Sequence, residues 1–123
     1  MNALILILAL CCTLAASKCP KTSVLSKNDA DNSQDITIAR VESCSENGGT
    51  IDCKLYHKSY LKTYSIYFYF PEIIKIPKNC KTTLQAGQDY VLGYTYSYSN
   101  FYYYNFARPV NGLTGDERGF LGM

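Results

Sequence analysis

Few residues in this sequence are of types that do chemistry, and the cysteines dominate them. Cys19 follows an apolar N-terminal run. A cysteine at a mature N-terminus puts a free α-amine, a backbone carbonyl and a disulfide anchor at one point. Nitrogen and oxygen held that rigidly can chelate a metal ion belonging to another protein. His57 is the sole histidine, with Lys54 and Lys58 nearby and no nucleophile or carboxylate at a telling spacing. It therefore reads as an ordinary surface residue. The motifs HExxH, GxSxG and CxxC and a phosphate loop are missing from the sequence. The expectation is a protein that is not an enzyme, takes no cofactor and has no endogenous metal site.

The chain around Cys19 sets what its terminus can be. Residues 3–16 (ALILILALCCTLAA) are apolar, too short a run to span a bilayer, and are followed by small residues. This pattern is expected of a signal peptide over residues 1–17, leaving one domain over 18–123 of about 105 residues. Small residues at the cleavage zone favour a cut after Ala16 or Ser17, which leaves Lys18 ahead of Cys19. Even one extra residue turns the chelating amine into an amide, so Lys18 must be removed before Cys19 can chelate. Cys11 and Cys12 fall in the expected signal, and Cys19, Cys44, Cys53 and Cys80 remain. In an oxidising compartment four cysteines form two disulfides, with three possible pairings. Twelve Lys and Arg against ten Asp and Glu give a net charge of +2, too weak a balance for a nucleic-acid partner. No second apolar run is long enough to enter a membrane. The product is expected to be secreted, extracellular and monomeric.

The elements that must position these residues follow from pattern. Lys21 to Asp35 is polar and reads as a surface segment with one helical turn. From Ile36 the texture becomes strand-prone, with Asn47-Gly48-Gly49 as a turn signal between two β-branched runs. Taking Gly48 and Gly49 as loop residues sets Asn47 opposite Thr50 and Cys44 opposite Cys53. The cysteines then form a non-hydrogen-bonded pair, where facing side chains come closest. Cys44–Cys53 thus follows from turn chemistry and Cys19–Cys80 by elimination. Tyr64 to Phe70 reads as a strand stopped by Pro71, and Glu72 to Asn79 as an irregular connector, because Pro77 removes a ladder donor. Tyr90 to Ser99 alternates, with Tyr90, Leu92, Tyr94, Tyr96 and Tyr98 on one face. Ser99-Asn100 turns the chain into a strand from Phe101 to Phe106. Thr114-x-x-Glu117 matches a capping box for a short helix to Leu121. Asp116 and Glu117 suit the positive end of its dipole. Five short strands with turns between them favour a small all-β barrel or sandwich.

Several stretches, in order, resemble a known family. These are Cys19-Pro20, Ile38-Ala39-Arg40-Val41, Tyr60-Leu61-Lys62, Cys80, the Leu84, Gly87 and Tyr90-Val91-Leu92-Gly93 pattern, Asn105 to Leu113, and Arg118-Gly119-Phe120. Together they are similar to the N-terminal domain of the tissue inhibitors of metalloproteinases, within the netrin-like module. The resemblance implies a five-stranded OB-fold-like barrel with one or two short helices. It implies a secreted inhibitor of zinc metalloendopeptidases, with the amine and carbonyl of Cys19 on the protease zinc and Pro20 in the specificity pocket. The connector Ile76, Pro77, Lys78 and Asn79, joined to Cys19 through Cys80, would form the second edge of the contact. Departures are present too. The family start Cys-x-Cys reads Cys19-Pro20-Lys21 here, and the position matching its last-strand partner is about Tyr104. Cys44–Cys53 has no counterpart in that domain, and the family's second domain has none in this sequence.

The tyrosines are the other candidate. Twelve are present, and Tyr94, Tyr96 and Tyr98 share a face on which rings could stack against a ligand. The bland reading is that they are strand formers covering a sheet. The functional alternative is a non-inhibitory extracellular binding protein that meets an extracellular matrix through this surface.

Overall fold

The computed structural model describes residues 19–63, 71–96 and 102–123. The expected signal peptide, the Tyr64–Phe70 strand, Tyr98 and the Ser99-Asn100 turn lie outside the described residues. A one-turn helix, α1 (Lys27–Asp31), is followed by strands β1 (Asp35–Asn47), β2 (Thr50–Lys62), β3 (Ile73–Pro77), β4 (Asp89–Tyr96) and β5 (Tyr102–Pro109). A 3-10 turn over Val110–Gly112 leads into α2 (Gly115–Leu121). The five strands form one antiparallel sheet in the order β3-β2-β1-β4-β5. The curled sheet brings its two edges together, where the Tyr104 hydroxyl on β5 donates to the Ile73 carbonyl on β3 at 3.2 Å. The chain is a small all-β, barrel-like fold with two short helices.

Local chemistry explains most of these elements. Gly48 takes a φ of 62° at the β1–β2 turn, a conformation that glycine adopts without strain. The turn sets Asn47 opposite Thr50 and Cys44 opposite Cys53. The two disulfides join Cys44 to Cys53 and Cys19 to Cys80, with Cα separations of 4.1 and 5.7 Å. Thr114 caps α2, accepting from the Glu117 amide while the Glu117 carboxylate accepts from the Thr114 amide. One element departs from the sequence reading. Ile73–Pro77 is a strand, paired with Thr50–Lys54 of β2, rather than an irregular connector. Pro77 sits at its last pair on a sheet edge, a position where a missing donor is tolerated. Ile74 and Ile76 pull the segment into the core, 0% and 2% exposed.

Adjacent strand residues point to opposite faces, and on β1, β4 and β5 both faces carry packed side chains. Inside the barrel Ala39, Val41, Leu55, Ile74, Ile76, Leu92, Tyr94 and Ala107 pack together. On the outer side of β1, β4 and β5, Ile36, Val91 and Phe106 pack against Leu25, Ala30 and Leu121 from the helical segments. The outer layer is tightest at Gly93, where a Cβ would fall 2.1 Å from a Phe106 ring carbon. Gly93→Ala therefore displaces the wholly buried Phe106 ring and lowers stability by about 1–3 kcal/mol. Adding Phe106→Leu to make room restores part of the loss. Denaturant titration of the two variants checks both.

Candidate functional site: the Cys19 edge

The segment that follows Cys19 is fastened to the barrel at Lys21. The Lys21 amide donates to the Asn105 carbonyl at 3.0 Å, and the Ala107 amide donates to the Lys21 carbonyl at 2.9 Å. Lys21 thereby runs parallel beside Phe106 of β5. Its ammonium reaches the Asp29 carboxylate on α1 at 2.8 Å. On the other side, the disulfide ties Cys19 to Cys80 just beyond β3. Cys80 ends a turn closed by its amide on the Pro77 carbonyl at 3.0 Å. The Lys78 amide donates to the Gly49 carbonyl at 2.9 Å, and its ammonium lies 3.1 Å from Glu46. Cys19, the Lys78–Asn79 turn and the tip of the β1–β2 hairpin are thus linked into one exposed edge.

The residues singled out in the sequence fall into two groups on this edge. Cys19, Lys78 and Asn79 are exposed, and Pro77 is half-buried. Pro20 and Ile76 are buried, which corrects their assignment as protease contacts. The two bonds at Lys21 and the bridge at Cys19 draw the Pro20 ring inward, and the pleat of β3 turns Ile76 into the barrel. Tyr94 is likewise corrected as a surface residue. It shares a face with Tyr90 and Leu92, but that face is the barrel interior, and Tyr94 is 0% exposed against Tyr104 at a ring separation of 5.7 Å. Tyr96 closes β4, and Tyr98 lies outside the described residues.

His57 is not an ordinary surface residue either. It is half-buried, its Nδ1 accepts from the Thr37 hydroxyl at 3.0 Å, and its Nε2 donates to the Pro71 carbonyl. Burial pushes its pKa below the usual histidine value, partly offset by the Pro71 hydrogen bond. The ring is a neutral cross-link between β1, β2 and the start of the chain leading into β3. Among the described residues no three of His, Cys, Asp and Glu are grouped to hold a metal ion, and no helix is long and apolar enough to cross a membrane.

Sequence reasoning missed the strongest polar contact near this edge. Glu117 is wholly buried, and both its oxygens accept from Arg108, each at 2.9 Å. The amides of Leu25 and Thr114 donate to the same carboxylate at 3.0 and 2.9 Å. Arg108 further donates to the Thr22 carbonyl at 3.4 Å and the Gly112 carbonyl at 2.8 Å. The pair therefore anchors both α2 and the chain just after Cys19. The capping-box spacing located Glu117 at the helix start, but nothing local points to Arg108.

No family model and no curated protein matches the chain. Among solved structures, the chain is similar to the crystal structure of Ancylostoma ceylanicum Excretory-Secretory Protein 2. The TM-score is 0.57 at 21% sequence identity, and the match covers 86% of this chain and 95% of that one. At that identity the likeness is one of fold.

Proposed function

We propose that this chain is a secreted, netrin-like domain that inhibits zinc metalloendopeptidases through the edge built on Cys19. One observation carries the reading: Cys19 is exposed, yet its side chain is held by the bridge to Cys80 and the chain two residues on is held by the bonds of Lys21 to β5. A chelating amine and carbonyl gain affinity from being immobilised before binding, since little ordering is left to do. Two disulfides and a fold shared with a protein named as excretory-secretory support the extracellular setting. Once Cys19 is the terminus, its neutral amine and its carbonyl oxygen can fill the open position of a catalytic zinc and displace the zinc-bound water. The amine must shed its proton, against an unperturbed pKa of about 8, so binding strengthens as pH rises toward that value. Because the Pro20 ring is buried, selectivity falls to Lys78 and Asn79 rather than to a side chain in the specificity pocket.

The test compares protein beginning at Cys19 with protein carrying one additional residue before it, assayed against a panel of secreted zinc endopeptidases. Inhibition by the first form and a loss of roughly 100-fold or more in the second, about 3 kcal/mol, is the expected result. Equal potency of both forms, or no inhibition by either, overturns the reading. The buried Pro20 favours a second reading, a non-inhibitory extracellular binding protein that keeps the barrel and the Cys19–Cys80 bridge as structure alone. Absence of inhibition by the Cys19-terminal form selects it.

A further inference from the structure

Tyrosine is the reactive side chain that this chain holds in excess. Twelve tyrosines stand against no tryptophan, and Cys19, Cys44, Cys53 and Cys80 are all joined in disulfides. A one-electron oxidant that meets the described domain therefore finds phenols as its donors, with neither an indole nor a thiolate competing. Burial divides the tyrosines. Tyr90 and Tyr94 are buried, and Tyr104 is half-buried with its hydroxyl on the Ile73 carbonyl. Tyr56 and Tyr60 are 59% and 54% exposed. Both lie on β2, toward the opposite end from the hairpin tip and the Cys19 edge. Arg40 pairs with Tyr56 and Thr37 with Tyr60, and Lys58 is the extra residue where Ala39 and Ile38 pair with His57 and Ser59. Paired side chains share a face, and Arg40 and Thr37 point to opposite faces of a regular β1. The bulge at Lys58 therefore turns Tyr56 and Tyr60 out on opposite faces of β2. They stand about 10–13 Å apart along the strand, so they cannot bond to each other within one chain.

We propose that oxidation joins copies of this chain covalently through Tyr56 and Tyr60. The oxidant is hydrogen peroxide acting through a secreted haem peroxidase. Each phenol gives up one electron and one proton and becomes a phenoxyl radical. Two radicals on different copies form a carbon–carbon bond between ring positions ortho to oxygen. The two ortho hydrogens then move to the oxygens and restore both phenols. Two tyrosines and one peroxide thus give one dityrosine and two waters. Because the two phenols leave on opposite faces, one chain can join two others, and the product grows beyond a dimer. A second copy meets little opposing charge on approach. Asp89, Arg40 and Tyr56 stand in a row across β4, β1 and β2. The Asp89 carboxylate holds Arg40 Nε at 3.1 Å and Lys58 Nζ at 2.8 Å. Lys54 lies 3.7 Å from Glu42. The net charge is only +2, and physiological salt screens it beyond about 8 Å. The disulfides place the chain in an oxidising setting. Coupling does not depend on processing at Cys19 or on protease inhibition.

The test incubates the disulfide-bonded protein with a haem peroxidase, with and without hydrogen peroxide. Denaturing gels, dityrosine fluorescence and mass spectrometry of cross-linked peptides read the products. The parent gives a ladder of covalent oligomers that needs peroxide and grows with protein concentration, and its joined peptides carry Tyr56 or Tyr60. Tyr56→Phe and Tyr60→Phe each shorten the ladder to a dimer. Tyr56→Phe/Tyr60→Phe stays monomeric, while its cooperative thermal unfolding shows that the fold is intact. A parent that stays monomeric, a ladder from the doubly substituted chain, or joined peptides that carry other tyrosines each overturns the proposal. Growth beyond a dimer by either single variant overturns it as well, since one phenol per chain would then suffice.

Discussion

Glu117→Gln lowers the unfolding free energy by about 3–5 kcal/mol, the range for removing one member of a buried ion pair. Four donors converge on the Glu117 carboxylate: two from Arg108 and the amides of Leu25 and Thr114. A glutamine of the same shape would turn its own N–H groups toward those donors and leave the guanidinium uncompensated. For a domain whose whole stability is about 5–15 kcal/mol, the loss is severe. The hydrogen bonds from Arg108, outweighing the effect of burial, hold the Glu117 pKa down to about 2, with the Thr114 and Leu25 amides adding to the shift. The unfolded chain binds a proton near 4.5. A depressed folded-state pKa stabilises the fold above the unfolded value and ceases to do so as pH falls through this window. The stability gap between parent and Glu117→Gln is therefore full at pH 6 and shrinks between about pH 4.5 and 2. Urea denaturation across that range measures it. A gap that stays constant with pH would mean that the carboxylate charge is not what stabilises this junction.

Removing the Cys19–Cys80 bridge by paired serine substitution costs about 4 kcal/mol, and removing Cys44–Cys53 costs about 3 kcal/mol, if release of unfolded-chain entropy dominates. The difference follows from separations of 61 and 9 residues. The two losses also differ in kind. Cys44 and Cys53 are already cross-strand neighbours in a hairpin held by its turn and ladder. Cys19 is followed by a buried Pro20 and by the paired Lys21, so without the bridge the fastening of the exposed edge begins only at Pro20. Thermal unfolding ranks the two variants, and amide exchange at Lys21 and Ala107 reads the loosening directly. Exchange at these two amides that is unaffected by loss of the bridge would show that Lys21 alone holds the edge. In that case Cys80 contributes stability and no positioning.

The parts of the fold that local chemistry dictates were legible in the residues. Asn47-Gly48-Gly49 sets the hairpin register, because only a two-residue turn with a positive φ places Cys44 against Cys53. Thr114-x-x-Glu117 announces α2 for a similar reason, since both halves of its capping box lie within four residues. The strand over Ile73–Pro77 was hidden by Pro77, whose missing donor matters little at a sheet edge. Arg108 and Glu117 lie on different elements, and their pairing depends on where α2 docks. The Asp89–Arg40–Tyr56 row likewise exists only once three strands are in register.

The tyrosines mark the boundary most clearly. Alternation along Tyr90, Leu92 and Tyr94 states that these side chains share a face, because the strand repeats every two residues. It does not state which face the sheet encloses, since a period carries no sign. One face lines the barrel against the opposite wall, and the other is covered over part of β1, β4 and β5 by α1, α2 and the segment around Leu25. Closure of the sheet placed Tyr94 inside and left Tyr56 outside, just as fastening at Cys19 and Lys21 turned Pro20 inward. Residue types and spacings thus decided the cysteine partners, the hairpin and the helix cap, while exposure was decided by the burial of each face against segments distant in the chain.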